Sequence, residues 1–268
     1  MRVVVLTGDQ DRHRWVAREI AKEYTVALIV HEKKPTTYED IAKTYPEVAK
    51  HFAINQFYEQ KFLFEEEQCS ETYPHVPVIE LPRKAINEKN LVRFVKTQDP
   101  DVIFLFGASI LSSYWFDVFG SKIINMHLGL SPYFRGSGTN FWPLYLGQPE
   151  YVGATIHVAV EEVDAGGIIC QVRPEIEVTD TLYDINIKTL KTGVAALLQS
   201  GRDFLAGIEP IDQEGLSYDR YKVWRKRDLT ADAVKTVWEN FCSGMVGEYL
   251  KHREVRNHDA PIIDKRKT

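Results

Sequence analysis

Short unbroken apolar runs alternate along this chain with longer stretches in which apolar residues recur every three or four positions. Arg2 to Leu6 has the make-up of a strand buried on both faces, Asp11 to Glu23 carries Trp15, Ile20 and Ala21 on one helical face, and Thr25 to Val30 returns to strand character. These three predict a βαβ opening. Pro35 to Tyr73 is polar, aromatic-rich and helical in character; Val76 to Leu81 then reads as a strand, Asn87 to Thr97 as a helix, Asp101 to Phe106 as a strongly apolar strand and Ser109 to Phe119 as a helix. Lys122 to His127, Gly153 to Val160 and Ile168 to Val178 are further strands. Thr179-Asp-Thr181 caps a helix through Gln199, apolar at Leu182, Ile185, Ile187, Leu190 and Leu197. The alternation predicts an α/β fold, a mostly parallel sheet with helices on both faces. From Gly207 the pattern is more polar and less regular, so the expected division is a domain over 1–206 and a small C-terminal appendage over 207–268.

In such folds ligands collect beyond the carboxyl ends of strands. Asn125 and His127 end one strand and, being two apart, face the same side while Met126 faces the other. Asp164 lies in the glycine-punctuated turn Val163-Asp-Ala-Gly-Gly167, from which a carboxylate can reach the same cleft, where His127 is expected to face solvent. Amide, imidazole and carboxylate are the groups that acyl transfer needs. Alone, a strand-end His is as a rule a hydrogen-bonded structural residue and an Asp before Gly a turn former. Leu128 to Asn140 holds three glycines and a proline, a loop whose backbone can approach a ligand. Phe141, Trp142 and Tyr145 open a short helix and read as core. Arg135 reads equally as a loop-bracing and a ligand-facing residue, and His51, His75, His157, His252 and His258 as structural or surface residues.

Composition narrows this picture. At 268 residues, 44% hydrophobic and 26% charged, the chain can bury a sizeable core. Cys69, Cys170 and Cys242 are an odd number without metal-type spacing, and no apolar run is long enough for a membrane span, so a reducing cytoplasm is the expected setting. A net charge of -5 gives no general attraction to nucleic acid, and the basic run Lys222 to Arg227 reads as a solvated turn.

Taken together, Asn125-Met-His127, Leu130-Ser-Pro132, Arg135-Gly136, Gly153-Ala-Thr155 and Val163-Asp-Ala-Gly166 resemble the signature of formyltransferases that use 10-formyltetrahydrofolate. The resemblance implies a Rossmann-like formyltransferase domain with Asn125, His127 and Asp164 as catalytic residues. It implies donor contacts at Phe106, Gly107, Ile110 and Leu111, at Leu130, and at Val163 and Gly166 around the aspartate turn. Asn125 would then stabilise the charge developing on the formyl oxygen, while His127 and Asp164 handle the proton. No covalent enzyme intermediate is needed.

Within that family the departures bear on the acceptor. Glycinamide ribonucleotide formyltransferases resemble this chain but carry a glycine-rich phosphate loop after the first strand. Here Thr7 to His13 bears Asp9 and Asp11, and Ser109 stands where an arginine is expected. Methionyl-tRNA formyltransferases add a C-terminal OB-like domain, whereas fewer than 65 residues follow Gly207. What remains is similar to the N-formyltransferases of nucleotide-linked amino sugars, such as a 4-amino-4,6-dideoxyhexose, which serve surface-polysaccharide synthesis and are often homodimers. The alternatives are formyl transfer to one of the other two amines, a formyltetrahydrofolate hydrolase, whose family usually has an N-terminal regulatory domain, and a non-catalytic folate or nucleotide sensor. No metal site is expected.

Overall fold

The computed structural model describes residues 1–34, 38–65, 73, 75–213 and 223–264. The βαβ opening forms as β1 (Arg2–Gly8), α1 (Asp11–Glu23) and β2 (Thr25–Glu32). The next segment is helical where described, as α2 (Tyr38–Thr44) and α3 (Ala49–Gln60). Then follow β3 (Val78–Leu81), α4 (Lys89–Thr97), β4 (Val102–Phe106), α5 (Ser113–Phe119) and β5 (Ile123–His127). A two-residue strand β6 (Arg135–Gly136) and α6 (Phe141–Tyr145) lead to β7 (Ala154–Val158), β8 (Ile168–Val172) and the long α7 (Leu182–Leu205). Beyond lie β9 (Val223–Trp224), α8 (Ala231–Cys242), α9 (Met245–Lys251) and α10 (Arg253–Asp259).

The sheet runs β3-β2-β1-β4-β5-β7-β8, parallel through β5 and antiparallel for its last two pairings. This is the mostly parallel sheet with helices on both faces that the alternation predicts. One face packs Phe104, Ile124 and Met126 against Trp15 and Ile20 of α1 and Leu190, Val194 and Leu197 of α7. The other packs Ile103 and Ile123 against Leu91 and Val95 of α4 and Trp115 and Phe119 of α5. Within β1, β4 and β5, residues of odd and even number go to opposite clusters, as the pleat requires. Thr181 caps α7 as expected, its hydroxyl accepting from Asp184 N while the Asp184 carboxylate accepts from Thr181 N.

Three expectations are corrected. Helix α5 begins at Ser113 and not Ser109, because Glu32 and Asn87 capture the backbone of residues 109–112. Strand β8 stops at Val172, where Arg173 turns to the Glu150 and Ala260 carbonyls and Pro174 has no N–H for a ladder. The described residues of the tail form three α-helices, and Val237, Met245, Val246 and Tyr249 join Phe134, Trp142 and Tyr183 in a third apolar cluster. Parts of the tail also extend the sheet edge, Ile211 bridging Ile168 and Asp264 bridging Cys170. Cys69 and Lys222 lie outside the described residues. No helix among the described residues is long and apolar enough to cross a membrane.

Candidate active site

The strand order reverses between β1 and β4, where doubly wound folds usually hold their ligand. Here His13 fills that crevice. A Cβ at Gly8 would lie 2.5 Å from His13 Nδ1 and one at Gly107 2.2 Å from Nε2, so both glycines exist to admit the ring. Burial, reinforced by the cations Arg12, Lys34 and Arg14 and by His31, pushes the His13 imidazole well below its usual range, so it stays neutral. The polar constellation lies further along, at the end of β5.

Asn125 pairs with His157 across the antiparallel β5–β7 ladder, and His127 with Thr155. Directly opposed residues project to one face, so four polar side chains share it. Asn125 Nδ2 lies 2.9 Å from His157 Nε2, and His157 Nδ1 lies 2.9 Å from the Val158 carbonyl. A carbonyl only accepts, so Nδ1 carries a proton and, in the neutral ring, Nε2 is the acceptor for one amide hydrogen of Asn125. The second amide hydrogen remains for a ligand. His127 Nε2 donates to the Phe134 carbonyl at 3.0 Å, and its Nδ1 faces Asp164 Oδ2 at 3.4 Å. His157 Nε2 stands 3.7 Å from the other oxygen, Oδ1.

The Asp164 side chain is 9% exposed, and the residue has φ +55°, a left-handed conformation that costs a non-glycine residue of order 1 kcal/mol or more. Three contacts hold it there. Gly136 N donates to Oδ2 at 3.3 Å, and Gln213 Nε2 donates to the carbonyls of Asp164, at 3.2 Å, and Gly166. Burial alone would raise the carboxyl. His127, His157 and the Gly136 N–H more than offset it and hold the group well below the usual carboxylate range, so it is ionised at neutral pH.

The Leu128–Asn140 loop is braced from beneath. Thr155 Oγ1 donates to Gly129 O and accepts from Ser131 N, while Gln171 Nε2 donates to Ser131 O. A Cβ on Gly129 would sit 2.6 Å from His127 Nε2, so that glycine admits the imidazole. Arg135 takes the bracing role, donating to the Val163 carbonyl and to Glu162. The tail braces the same loop, since β9 pairs with β6, Ser137 N donates to Trp224 O, and the Trp224 ring stacks on Trp142 at 4.0 Å.

Asn125, His127 and Asp164 therefore meet, but His127 is 7% exposed and not the solvent-facing side chain expected. His157, read from the sequence as structural, joins the constellation. Its even spacing from Thr155 gave it a face, but only the β5–β7 pairing reveals that the face is that of Asn125. Phe106 and Leu111 are buried, Ile110 is 68% exposed, and Val163 on the opposite loop is 38% exposed. The loop carrying Ile110 leaves the sheet beside Asn125, which pairs with Leu105. Leu130 is wholly buried beneath Gly153, and a Cβ on Gly166 would strike the Val158 carbonyl at 1.8 Å.

A protein-family model described as formyl transferase matches residues 1–200. A methionyl-tRNA formyltransferase of Listeria welshimeri is 35% identical over 119 residues, 43% of this chain and 35% of that protein. The chain spans between about a third and a half of the length of the curated relatives it matches. Among solved structures, a phosphoribosylglycinamide formyltransferase from Anaplasma phagocytophilum superposes with TM-score 0.54 at 20% identity, over 77% of this chain and 87% of that one. A formyltransferase from Anoxybacillus kamchatkensis, solved with UDP-4,6-dideoxy-4-formamido-L-AltNAc and tetrahydrofolate, superposes with TM-score 0.50 at 16% identity, over 85% and 87% of the two chains.

Proposed function

The chain belongs to the formyl transferase family, and from that premise we propose that it transfers a formyl group from 10-formyltetrahydrofolate to the primary amine of a nucleotide-linked amino sugar. The observation that carries the chemistry is the meeting, at the end of β5, of one free amide hydrogen, one imidazole and the ionised carboxylate that the β7–β8 turn brings to them. The donor fits the surroundings. Two exposed aliphatic side chains, Ile110 on the loop after β4 and Val163 next to Asp164, offer apolar surface to a flat ring system.

When bound, the folate supplies the activated formyl carbon and takes up a proton as its nitrogen leaves. The protein does the rest. Asn125, its amide oriented by His157, donates its second hydrogen to the formyl oxygen as negative charge grows there, a role in which one donor is worth about 3 kcal/mol. With Nε2–H engaged by Phe134 O, His127 turns Nδ1 toward the Asp164 carboxylate. Nδ1 and the carboxylate, 3.4 Å apart, form a pair that can take up and return one proton. The acceptor amine delivers that proton as its nitrogen bonds to the formyl carbon, and the pair returns it to the departing nitrogen. Charge balances throughout, and no group on the protein is acylated.

The acceptor is read from charge. Asp9 and Asp11 occupy the β1–α1 turn, Asp9 accepting from Lys34 N at 2.8 Å and Asp11 opening the helix, so that turn is ill suited to a ribonucleotide phosphate. Ser109 gives its backbone N–H to Glu32 and brings no cation to the site. The net charge of -5 disfavours tRNA. The Anoxybacillus protein, similar in fold, was solved with a formamido sugar nucleotide, which supports this reading. His127→Asn tests the chemistry. Turnover should fall at least about a hundredfold, the low end of general acid-base catalysis, in a protein that remains folded. Retained activity in the folded variant would remove His127 from the mechanism.

A further inference from the structure

The loop after β4 is anchored almost residue by residue, each time by a different element. Thr7 Oγ1 donates to Phe106 O at 2.6 Å, and His13 occupies the space that a Gly107 side chain would need. Glu32 Oε2 accepts from Ser109 N at 2.8 Å, and Asn87 both donates to Ile110 O at 2.9 Å and accepts from Ser112 N at 2.8 Å. Glu32 is the unusual member. It ends β2 with no exposed surface, and besides Ser109 N it accepts from Lys84 N at 2.6 Å and Lys34 Nζ at 3.0 Å.

Burying a carboxylate is unfavourable unless its partners repay the lost hydration, and an apolar side chain is the ordinary occupant of such a position. Here both backbone partners belong to loops at the carboxyl ends of the strands, the end that carries the constellation. The network also holds Ile110 in water, 68% exposed, while its neighbour Leu111 enters the core at 4%. Packing does not require an exposed isoleucine fixed on both sides. A ligand with an apolar face does.

We propose that Glu32 is a positioning residue for the folate donor, holding the Phe106–Leu111 loop in its binding form and tying it to the Lys84 turn. The inference rests on the donor assignment above. Glu32→Gln keeps one acceptor oxygen but turns an amide NH₂ toward a backbone N–H, and Asn87→Ala frees the same loop at Ile110 and Ser112. Tetrahydrofolate, titrated calorimetrically into each variant, should bind about tenfold more weakly, the effect of losing one charge-assisted or two neutral hydrogen bonds. The donor KM should rise by the same ratio, with the acceptor KM and kcat within about threefold of the parent, since preorganisation lost at one subsite is uniform binding lost.

An unchanged tetrahydrofolate affinity in a Glu32→Gln protein that melts earlier would mean that the carboxylate only stabilises the fold, and the inference fails. Equal weakening of donor and acceptor would overturn it as well. Should Glu32→Gln not fold, Asn87→Ala reads the same loop from a partly exposed position, and parent-like affinity there is equally decisive. Absence of tetrahydrofolate binding to the unsubstituted protein would bring down the donor assignment itself, and this inference with it.

Discussion

Gly166→Ala should separate catalysis from folding, because the methyl group it adds has nowhere to go. An ideal Cβ at Gly166 lies 1.8 Å from the Val158 carbonyl oxygen and 2.9 Å from its carbon, both backbone atoms, so no side chain can swing aside. To reach even 3.0 Å, the lower bound of real Cβ contacts, the turn must retreat by about 1.2 Å. Val158 is fixed in β7, and its N–H bonds Gly167 O at 3.0 Å, so the turn is the part that yields. Asp164 stands two residues away, and a displacement of that size takes His127 Nδ1 and Asp164 Oδ2 from 3.4 Å to beyond ion-pair reach. A misplacement of about 1 Å at a catalytic centre costs about a hundredfold in rate, whereas overpacking of this kind costs about 1–3 kcal/mol of stability. The assay is kcat for formyl transfer at saturating donor, read beside the thermal unfolding of the same preparation. Gly247→Ala serves as control, since its Cβ would meet nothing nearer than 4.0 Å, at Val178, and it lies within α9. A Gly166→Ala protein with kcat within about threefold of the parent would refute the claim that the turn sets the His127–Asp164 geometry.

Asp164→Asn should lower kcat/KM by about a hundredfold to ten-thousandfold, the span of general acid-base catalysis. Because the folded carboxyl is held below its unfolded value of about 3.9, the stability it contributes is present above about pH 4 and lost as pH falls toward the folded value. The pH dependence of Tm below about pH 5 should therefore flatten in Asp164→Asn, and an unaltered profile contradicts the ionised-pair account. His51 is half-buried against Phe52, Phe141 and Tyr183, with Nδ1 3.2 Å from the Tyr183 hydroxyl, and desolvation pushes it down to about 4. Since its unfolded value is about 6.5, the unfolded chain binds the extra proton first, so stability is full above about pH 6.5 and declines as pH falls to about 4. His51→Phe should remove that part of the Tm slope, and a persisting slope would assign it to other groups.

The alternation of apolar runs was sufficient for the sheet and its flanking helices because the central strands β1, β2, β4, β5 and β7 are buried on both faces and the helices against them on one, so the core itself writes the pattern. Asn125, His127 and Asp164 were legible for a local reason, the two-residue spacing at a strand end and a glycine-bounded turn. His157 was not, since its role depends on the antiparallel pairing of β5 with β7, a contact between segments 32 residues apart. The same holds for Gln213, whose amide fixes the Asp164 turn from 49 residues away. Residues 109–112 read as the start of a helix because their composition permits one, but Glu32 and Asn87, distant in sequence, claim their backbone groups first. The tail was read by its polarity, which hid the apolar spacing of Ala233, Val237, Met245, Val246 and Tyr249, all buried in the third cluster.

The central claim is formyl transfer to a nucleotide-linked amino sugar, and kcat/KM measured with 10-formyltetrahydrofolate and three acceptors tests it most directly. A nucleotide-linked 4-amino-4,6-dideoxyhexose, glycinamide ribonucleotide and methionyl-tRNA would be offered at equal concentration, with donor-only turnover recorded beside them. The account predicts that the sugar nucleotide leads by orders of magnitude and that donor alone is hydrolysed slowly, because a site without the phosphate contacts of the other acceptors cannot regain that discrimination elsewhere. Efficient formylation of methionyl-tRNA or glycinamide ribonucleotide without sugar-nucleotide activity, or donor hydrolysis as fast as transfer, would contradict it.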